Sequence, residues 1–278
     1  MKKYLVIGNP IEHSLSPVIH NYWIKKYNLT NSIYEKKKVE VKDLKKIVDD
    51  IRKDQIVGVN VTVPFKKLII PYLDELDASA NDTQSVNTLH KIGNKIIGYN
   101  TDCLGFLKTI NDYYGLNPSI TDKNLPRKDF FILGAGGVTP SIVVPLIFLL
   151  GKSPGTIWIS NRTKKNAEIL KKDFPKIELI DWGNKPSVYC DIVINTTSIG
   201  LKKNDNLNID LNLDKKTLFY DLIYNPKETN FLRDARLRGN KTMNGQMMFL
   251  HQAKEAFKIW TNIMPEIDHE LIKILEND

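Results

Sequence analysis

The sequence has few cysteines, no long apolar run and no compact group of metal-ligating residues, and each absence excludes a class of protein. Cys103 and Cys190 are the only cysteines and lie far apart, so the pattern predicts neither a disulfide scaffold nor a zinc site. The longest apolar run, 142–150, is interrupted by Pro145 and is much shorter than the roughly 20 residues of a membrane-spanning helix. We therefore expect a protein of the reducing cytoplasm, with no bound metal and no membrane partner.

The charge balance is basic, with 40 Lys and Arg against 32 Asp and Glu and a net charge of +8. Such an excess attracts nucleic acid, anionic lipid or acidic small molecules. The lysines stand in short scattered groups without interleaved aromatic residues or a nucleic-acid motif, so we interpret them as a solvated surface. We expect a small-molecule partner and no nucleic acid; a nucleic-acid-binding protein is an alternative that rests on the charge alone.

Short β-branched segments alternate with helical patterns, which predicts an α/β protein with βα units around parallel sheets. At 278 residues the chain is long enough for two domains. The first series has predicted strands at 4–8, 32–40, 58–63, 86–91 and 95–99, the last two joined at Gly93-Asn94, and helices at 17–27, 43–52 and 65–76. After a turn-rich segment at 117–128, the second series has strands at 130–133, 156–160, 177–180, 191–195 and 217–221, followed by helices at 246–260 and 265–275.

A glycine-rich turn follows the apolar strand at 130–133. Its pattern G-x-G-G, from Gly134 to Gly137, lets the backbone approach a pyrophosphate at the positive end of the next helix. Thr139 stands where a third glycine would complete the dinucleotide fingerprint, so a tight turn without a ligand is the alternative. Arg162 follows the next strand, where an acidic residue would bind the ribose of NAD; its planar fork suits a 2′-phosphate and favours NADP, the alternative being a surface arginine.

Polar residues also stand in unusual settings in the first half of the chain. Ser14 and Ser16 precede a helix, where they either hold a carboxylate or cap the helix. Asn60 and Thr62 share one face of a strand because of its period of two. Lys66 opens the helix predicted at 65–76, whose positive end opposes the lysine charge and suits the amine for proton transfer; an ordinary exposed lysine is the alternative.

A further pair of polar residues lies around the predicted hairpin. Asn87 stands in the first hairpin strand, and Asp102 follows the second. Asp102 either caps the next helix or joins Lys66 as an acid/base pair beside a dinucleotide.

Together these motifs resemble those of the shikimate dehydrogenase family, in the family's order and over nearly the whole chain. They are His13-Ser14-Leu15-Ser16-Pro17, Asn60-Val61-Thr62-Val63-Pro64-Phe65-Lys66, Val86-Asn87-Thr88-Leu89, Asn100-Thr101-Asp102, Gly134-Ala135-Gly136-Gly137, Asn161-Arg162-Thr163, Asn195-Thr196-Thr197-Ser198-Ile199-Gly200 and Tyr220-Asp221-Leu222-Ile223-Tyr224-Asn225-Pro226. The resemblance implies reversible NADPH-dependent reduction of 3-dehydroshikimate to shikimate, in aromatic amino-acid biosynthesis.

The resemblance also implies an architecture of two domains. A substrate-binding α/β domain at 1–102 precedes a Rossmann-type NADP-binding domain at 103–244, and the C-terminal helices at 245–278 return to the first domain. It leaves both a monomer and a homodimer open.

The family's site residues carry over one by one. The implied catalytic residues are Lys66 and Asp102. The implied substrate-binding residues are Ser14, Ser16, Asn60, Thr62, Lys66, Asn87, Asp102, Tyr224 and Gln252. The implied cofactor-binding residues are Gly134, Ala135, Gly136, Gly137, Asn161, Arg162, Thr163, Thr196, Ser198, Gly200, Leu222 and Gly245.

Some positions depart from the family pattern. Val138-Thr139-Pro140 replaces small residues and a basic side chain, Gln84 and Cys103 each replace a glycine, and Gln246-Met247 replaces a stretch that commonly contains glycine. These departures bear on affinity and cofactor preference. A quinate/shikimate dehydrogenase of broader specificity and a catalytically silent homologue that binds shikimate or nucleotide are the alternatives.

Overall fold

The computed structural model describes residues 1–115, 128–151, 155–202 and 204–277. The chain forms two compact units, which we call the first and the second unit. The first unit comprises Met1–Gly105 and the segment from Leu250 onward, and the second comprises Phe106–Phe249. Of the turn-rich segment at 117–128, only Lys128 lies within the described residues. No helix within these residues is long and apolar enough to cross a membrane.

A six-stranded mixed sheet forms the centre of the first unit. Its strands are β1 (Lys2–Gly8), β2 (Ser32–Lys38), β3 (Gly58–Val61), β4 (Glu75–Leu76), β5 (Thr88–Ile92) and β6 (Lys95–Tyr99), in the order β2-β1-β3-β5-β6-β4. β1 is parallel to β2 and β3, whereas β5 is antiparallel to β3 and β6. The expectation of a parallel sheet is therefore wrong for this unit, because the predicted hairpin at Gly93-Asn94 reverses the chain.

The second unit has a fully parallel sheet. Its strands are β7 (Phe130–Leu133), β8 (Ile157–Ser160), β9 (Ile177–Ile180), β10 (Ile192–Asn195), β11 (Leu218–Asp221) and β12 (Lys241–Met243), in the order β12-β11-β10-β7-β8-β9. This is the doubly wound dinucleotide-binding order, with the central strand β7 first in sequence. β12 was not predicted because it has only three residues and no apolar run.

The helices alternate with the strands as the pattern predicts. They are α1 (Ser16–Lys26), α2 (Leu44–Arg52), α3 (Ala78–Thr83), α4 (Thr101–Tyr114), α5 (Pro140–Leu150), α6 (Lys164–Asp173), α7 (Asn230–Leu237), α8 (Gln246–Thr261) and α9 (His269–Asn277), with 3₁₀ turns at Val41–Asp43 and Ile70–Tyr72.

The helix expected over 65–76 does not form. The chain there makes turns, the 3₁₀ turn at Ile70–Tyr72 and the short strand β4. Pro71 has no N–H and its ring clashes with the preceding helical turn, which prevents a continuous helix. Phe65 and Ile69 are both buried, and their spacing of four residues is also that of apolar residues on one face of a helix, which is why the sequence predicted one. Lys66 therefore lies in a turn, and the expected opposition from a helix end does not apply to it.

The C-terminal segment packs on the first sheet through aromatic rings. Trp260 of α8 lies 5.4 Å from the Tyr4 ring, between centroids, and its indole N–H donates to the Leu89 carbonyl at 3.0 Å. A Cβ on Gly58 would lie 2.3 Å from Trp260 Nε1, so only glycine admits the indole at this point of β3. These contacts join the C-terminal helix to the sheet of the first unit, as the family fold requires.

His20 lies in the same aromatic layer. Its ring stacks on Tyr34 with centroids 4.2 Å apart and planes at 6°, and Trp23 meets it edge-on at 5.7 Å. Neither ring nitrogen has a hydrogen-bond partner among the described residues. Burial lowers the pKa of His20 to about 3, because the charged imidazolium would lose its hydration there.

We expect His20 to make the protein acid-sensitive. Below the ordinary histidine pKa of 6.5, the unfolded chain binds a proton that the folded chain excludes until about pH 3. The free energy of unfolding should therefore fall with decreasing pH by up to about 1.4 kcal/mol per pH unit from this group. His20→Leu should remove that contribution in urea unfolding measured from pH 7 to 4.5. Ile19→Val removes no titrating group and should keep the contribution. If the free energy of unfolding of His20→Leu depends on pH as steeply as that of the unchanged protein, His20 is not the source of the acid sensitivity.

Candidate active site

Lys66 and Asp102 form a buried ion pair in the first unit. Lys66 Nζ lies 2.5 Å from Asp102 Oδ2, and the two side chains are only 11% and 10% exposed. The Lys66 carbonyl accepts the Val86 N–H at 2.9 Å, which fixes the turn that carries the lysine. A short charge-assisted hydrogen bond with little solvent around it presents an ammonium and a carboxylate in defined positions.

Asp102 stands in the first turn of α4, but it is not the cap of that helix. The capping group is Asn100, whose Oδ1 accepts the Cys103 N–H at 3.3 Å. Asn100 is itself held by its amide nitrogen, which donates to Thr83 Oγ1 at 2.9 Å and to the Ser85 carbonyl at 2.8 Å. The capping role considered for Asp102 is therefore wrong. Its carboxylate is available to Lys66, at a helix end that favours negative charge.

Asn87 links the hairpin to α4 and to α8. Its Oδ1 accepts the Thr101 N–H at 2.8 Å, and its Nδ2 donates to Thr101 Oγ1 at 2.9 Å and to Gln252 Oε1 at 3.4 Å. The structure thus brings Asn87 and Gln252 together although 165 positions separate them. Thr101 was missed, although its place between Asn100 and Asp102 was a signal.

Asn60 occupies the opposite side of the same network. Its Nδ2 donates to the Asn87 carbonyl at 3.1 Å and to Thr88 Oγ1 at 3.0 Å, and its Oδ1 accepts from the Tyr34 hydroxyl at 2.7 Å. Sequence reasoning missed Tyr34, because nothing in the spacing from β2 to β3 points to this contact. Thr62 follows β3 and lies against Gly8, where an added Cβ would be 2.6 Å from Thr62 Cγ2.

Ser14 and Ser16 lie side by side at the start of α1. Their hydroxyl oxygens are 3.3 Å apart, and the Ser16 N–H points to Ser14 Oγ at 3.4 Å. The N-cap position is Leu15, so neither serine is the N-cap residue, although Ser14 Oγ accepts the N–H of the first helical residue. Two hydroxyls beside a helix N-terminus suit a carboxylate.

In the second unit, the glycine turn between β7 and α5 is held from within by two threonines. Thr139 Oγ1 accepts the Gly136 N–H at 3.1 Å and lies 2.9 Å from Thr196 Oγ1, which donates to the Leu133 carbonyl. Gly134 has φ +115°, and a Cβ there would lie 2.5 Å from Thr196 Oγ1. A Cβ on Gly136 or Gly137 would meet no atom within 4 Å, so open space adjoins the turn. The turn thus fits the close approach of a pyrophosphate.

The end of β8 lies beside this turn. Asn161 Oδ1 accepts the Ala135 N–H at 3.0 Å, and Asn161 Nδ2 donates to the Thr163 carbonyl at 2.8 Å. Arg162 and Thr163 are exposed, and no ion pair of Arg162 occurs among the described residues. A free guanidinium and a hydroxyl beside the glycine turn fit the 2′-phosphate of NADP.

The other cofactor candidates lie at the carboxyl ends of β10 and β11. Thr196 is buried and bonded as above, Ser198 is exposed, and Gly200 is buried with φ +122°. A Cβ on Gly245 would lie 2.0 Å from the Leu222 carbonyl oxygen, so glycine is required there. Tyr224, the one substrate candidate in the second unit, stacks on Phe249 with centroids 4.1 Å apart.

Asp221 is a buried carboxylate at the end of β11 that sequence reasoning did not single out. It accepts hydrogen bonds from Thr229 Oγ1 at 2.6 Å, the Ile223 N–H at 3.0 Å and Asn195 Nδ2 at 3.1 Å. Burial raises its pKa to about 6, against these three hydrogen bonds. Asp221 thereby ties together the segments that carry Thr196 and Leu222.

The departures from the family pattern have local explanations. Gln84 ends α3 in a left-handed conformation, φ 47° and ψ 42°, which is where glycine costs least. Cys103 is buried in the first turn of α4, and Pro140 is the first residue of α5, a position that needs no N–H. Gln246 begins α8, where its N–H donates to Asn244 Oδ1 at 3.1 Å, and Met247 is partly exposed.

Comparison with known proteins agrees with this geometry. The family model of the shikimate dehydrogenase substrate binding domain matches residues 6–89. A shikimate dehydrogenase (NADP(+)) of Pelagibacter ubique (strain HTCC1062) is 49% identical over 276 residues, which cover 99% of each chain. The chain belongs to the shikimate dehydrogenase family.

Solved structures show the same fold. A crystal structure of shikimate dehydrogenase in complex with NADP+ superposes with a TM-score of 0.88 at 33% identity, over 100% of this chain and 96% of that one. The enzyme from Thermus thermophilus, in complex with NADP(H) and shikimate, gives 0.78 at 27% identity, over 96% and 95%. The expected fold class, an N-terminal α/β domain with a Rossmann-type domain, is confirmed.

Removing the hydroxyl of Thr139 should loosen the glycine turn. Thr139→Val keeps the shape but leaves the Gly136 N–H without its acceptor, so we expect a loss of about 1–3 kcal/mol in the free energy of unfolding. Thr139→Ser, which keeps the hydroxyl, is the matched control and should lose less. Equal stability of Thr139→Val and the unchanged protein in denaturant unfolding would show that the contact is unimportant.

Proposed function

We propose that this chain catalyses the reversible NADPH-dependent reduction of 3-dehydroshikimate to shikimate. The observation that carries the proposal is the buried Lys66–Asp102 pair in a chain 49% identical to a shikimate dehydrogenase (NADP(+)). The product feeds aromatic amino-acid biosynthesis. The two free cysteines, Cys103 and Cys190, support a cytoplasmic location.

We assign substrate binding to the first unit. Ser14 and Ser16 would hold the carboxylate, while Asn60, Thr62, Asn87 and Gln252 would face the ring hydroxyls. The shared network of Asn60, Asn87 and Gln252 supports this, because polar groups that are already ordered lose little entropy on binding.

We assign cofactor binding to the second unit. The turn from Gly134 to Gly137 would bind the pyrophosphate. The adenosine ribose and its 2′-phosphate would be bound by Asn161, Arg162 and Thr163. The rest of the cofactor would be bound by Thr196, Ser198, Gly200, Leu222 and Gly245. NADPH supplies the hydride when it is bound. The parallel sheet order and the open space beside Gly136 and Gly137 support this assignment.

The chain itself supplies the proton and the charge stabilisation. The ketone oxygen gains negative charge as it becomes a hydroxyl, and Lys66 Nζ would donate a hydrogen bond and then a proton to it. Asp102 holds the ammonium in position through Oδ2. In the reverse direction, Lys66 would accept the proton from the shikimate hydroxyl.

The test is NADPH formation from shikimate, with NADP+ compared with NAD+ and quinate compared with shikimate. Turnover with shikimate and NADP+ supports the proposal. Equal turnover of quinate and shikimate would identify the chain as a quinate/shikimate dehydrogenase of broader specificity. A folded protein that binds NADPH and shikimate without turnover would identify a silent homologue.

Lys66 should be required for turnover. Because general acid catalysis contributes roughly 10²–10⁴-fold, Lys66→Ala should lower kcat by about that factor while shikimate binding, measured by calorimetry, largely survives. The adjacent exposed Lys67 offers a control of equal charge, and Lys67→Ala should keep kcat within about twofold. A Lys66→Ala variant with normal kcat would rule out the assigned role.

Arg162 should decide between the two nicotinamide cofactors. Losing a hydrogen bond to a charged group costs about 1.5–3 kcal/mol, so Arg162→Ala should raise KM for NADP+ by roughly ten- to hundredfold. KM for NAD+, which has no 2′-phosphate, is the internal control and should stay the same. A parallel rise for both cofactors would indicate a structural role for Arg162 instead.

A further inference from the structure

The hydrogen bonds of Asn60 fix the orientation of its amide. Asn60 Nδ2 lies 3.1 Å from the Asn87 backbone carbonyl, a group that can only accept. The nitrogen must therefore be on that side, and Oδ1 must be on the side of Tyr34. Since Oδ1 only accepts, the Tyr34 hydroxyl donates to it at 2.7 Å.

The second amide hydrogen of Asn60 is also committed. It points to Thr88 Oγ1 at 3.0 Å, and the Thr88 hydroxyl has its own acceptor in Asn87 Oδ1 at 3.0 Å. Among the described residues, the Asn60 amide thus has both hydrogens and one oxygen lone pair in use. What it has left for a ligand is the second lone pair of Oδ1.

Tyr34 is held rigidly at the edge of the sheet. Its backbone N–H donates to Asn21 Oδ1 at 2.9 Å, and its carbonyl accepts from Asn21 Nδ2 at 2.8 Å. Its ring is stacked on His20 and is only 2% exposed. These contacts on the backbone and on the ring hold the hydroxyl against Asn60 Oδ1.

We propose that Tyr34 is a positioning residue that holds Asn60 Oδ1 in place, so that the one lone pair left on this oxygen accepts a hydrogen bond from a substrate hydroxyl that does not react. The inference rests on the proposed function. The reacting carbon carries a ketone in one direction, and a ketone offers no hydrogen to Asn60 Oδ1. The hydroxyls on the two ring carbons that do not react are present in both substrate and product, and a contact with either therefore binds ground state and transition state alike.

Uniform binding of this kind appears in KM and not in kcat. Tyr34→Phe keeps the ring but removes the hydrogen bond to Asn60 Oδ1, so that the oxygen is held less firmly although the Asn87 carbonyl and Thr88 still bind the amide nitrogen. We expect KM for shikimate to rise about tenfold, with kcat within about twofold and KM for NADP+ unchanged. In an Asn60→Ala background the same substitution should have almost no effect, because Tyr34 acts through Asn60.

The control is Tyr22→Phe, which removes another tyrosine hydroxyl of the first unit, bonded to Asp268 at 2.7 Å. It should leave all three kinetic constants unchanged. Shikimate analogues lacking the hydroxyl at carbon 4 or at carbon 5 complete the test, because the Tyr34→Phe effect should vanish with one of them.

Calorimetric titration of shikimate separates this inference from the function on which it rests. Absence of shikimate binding by the unchanged chain overturns both. If the unchanged chain and folded Tyr34→Phe bind shikimate equally well, the role of Tyr34 alone is overturned. The same conclusion follows if the rise in KM caused by Tyr34→Phe persists in the Asn60→Ala background or with both deoxy analogues.

Discussion

The burial of the Lys66–Asp102 pair is the constraint on which the first unit depends. Moving two charges out of water costs roughly several kcal/mol per ion. Only good geometry and further hydrogen bonds offset this cost. Each partner is accordingly held by its backbone. Lys66 is fixed through its carbonyl on Val86, and Asp102 through the capped first turn of α4. The hairpin of β5 and β6 delivers both contacts, since Val86 precedes it and Asn100 follows it.

Neutral polar groups of the first unit form a hydrogen-bonded network that includes Thr101, the residue before Asp102. Asn60, Asn87 and Thr101 bond mainly to one another, which satisfies buried amides that would each be costly if left unpaired. Such a network has few donors and acceptors left over. Recognition of a small polyhydroxylated ring then depends on which lone pairs and hydrogens remain, and buried partners such as Tyr34 decide that.

The sequence predicted most elements, because β-branched runs and turn residues agree with the final sheets. It also predicted that Lys66 and Asp102 pair and that a glycine turn follows β7, since these residues stand near the ends of recognisable strands; their roles in the site stay predictions. The helix at 65–76 was wrong because burial of Phe65 and Ile69 in a turn has the same spacing as a helix face. Tyr34 and Asp221 were missed because their roles arise from contacts between segments that are distant in sequence, which no local pattern encodes, whereas Thr101 was missed although it stands between Asn100 and Asp102.

The glycine turn of the second unit shows how a departure from a motif changes the chemistry of a site. Thr139 stands where a glycine would complete the fingerprint, and its hydroxyl takes up the Gly136 N–H. Asn161 likewise takes up the Ala135 N–H. Two backbone donors that point toward an anion in a bare glycine turn are therefore bonded within the protein, while the turn becomes more rigid. The pyrophosphate is common to NAD and NADP, so the exposed side chains of Arg162 and Thr163, and not the backbone of the turn, are our candidates for discrimination between the two cofactors.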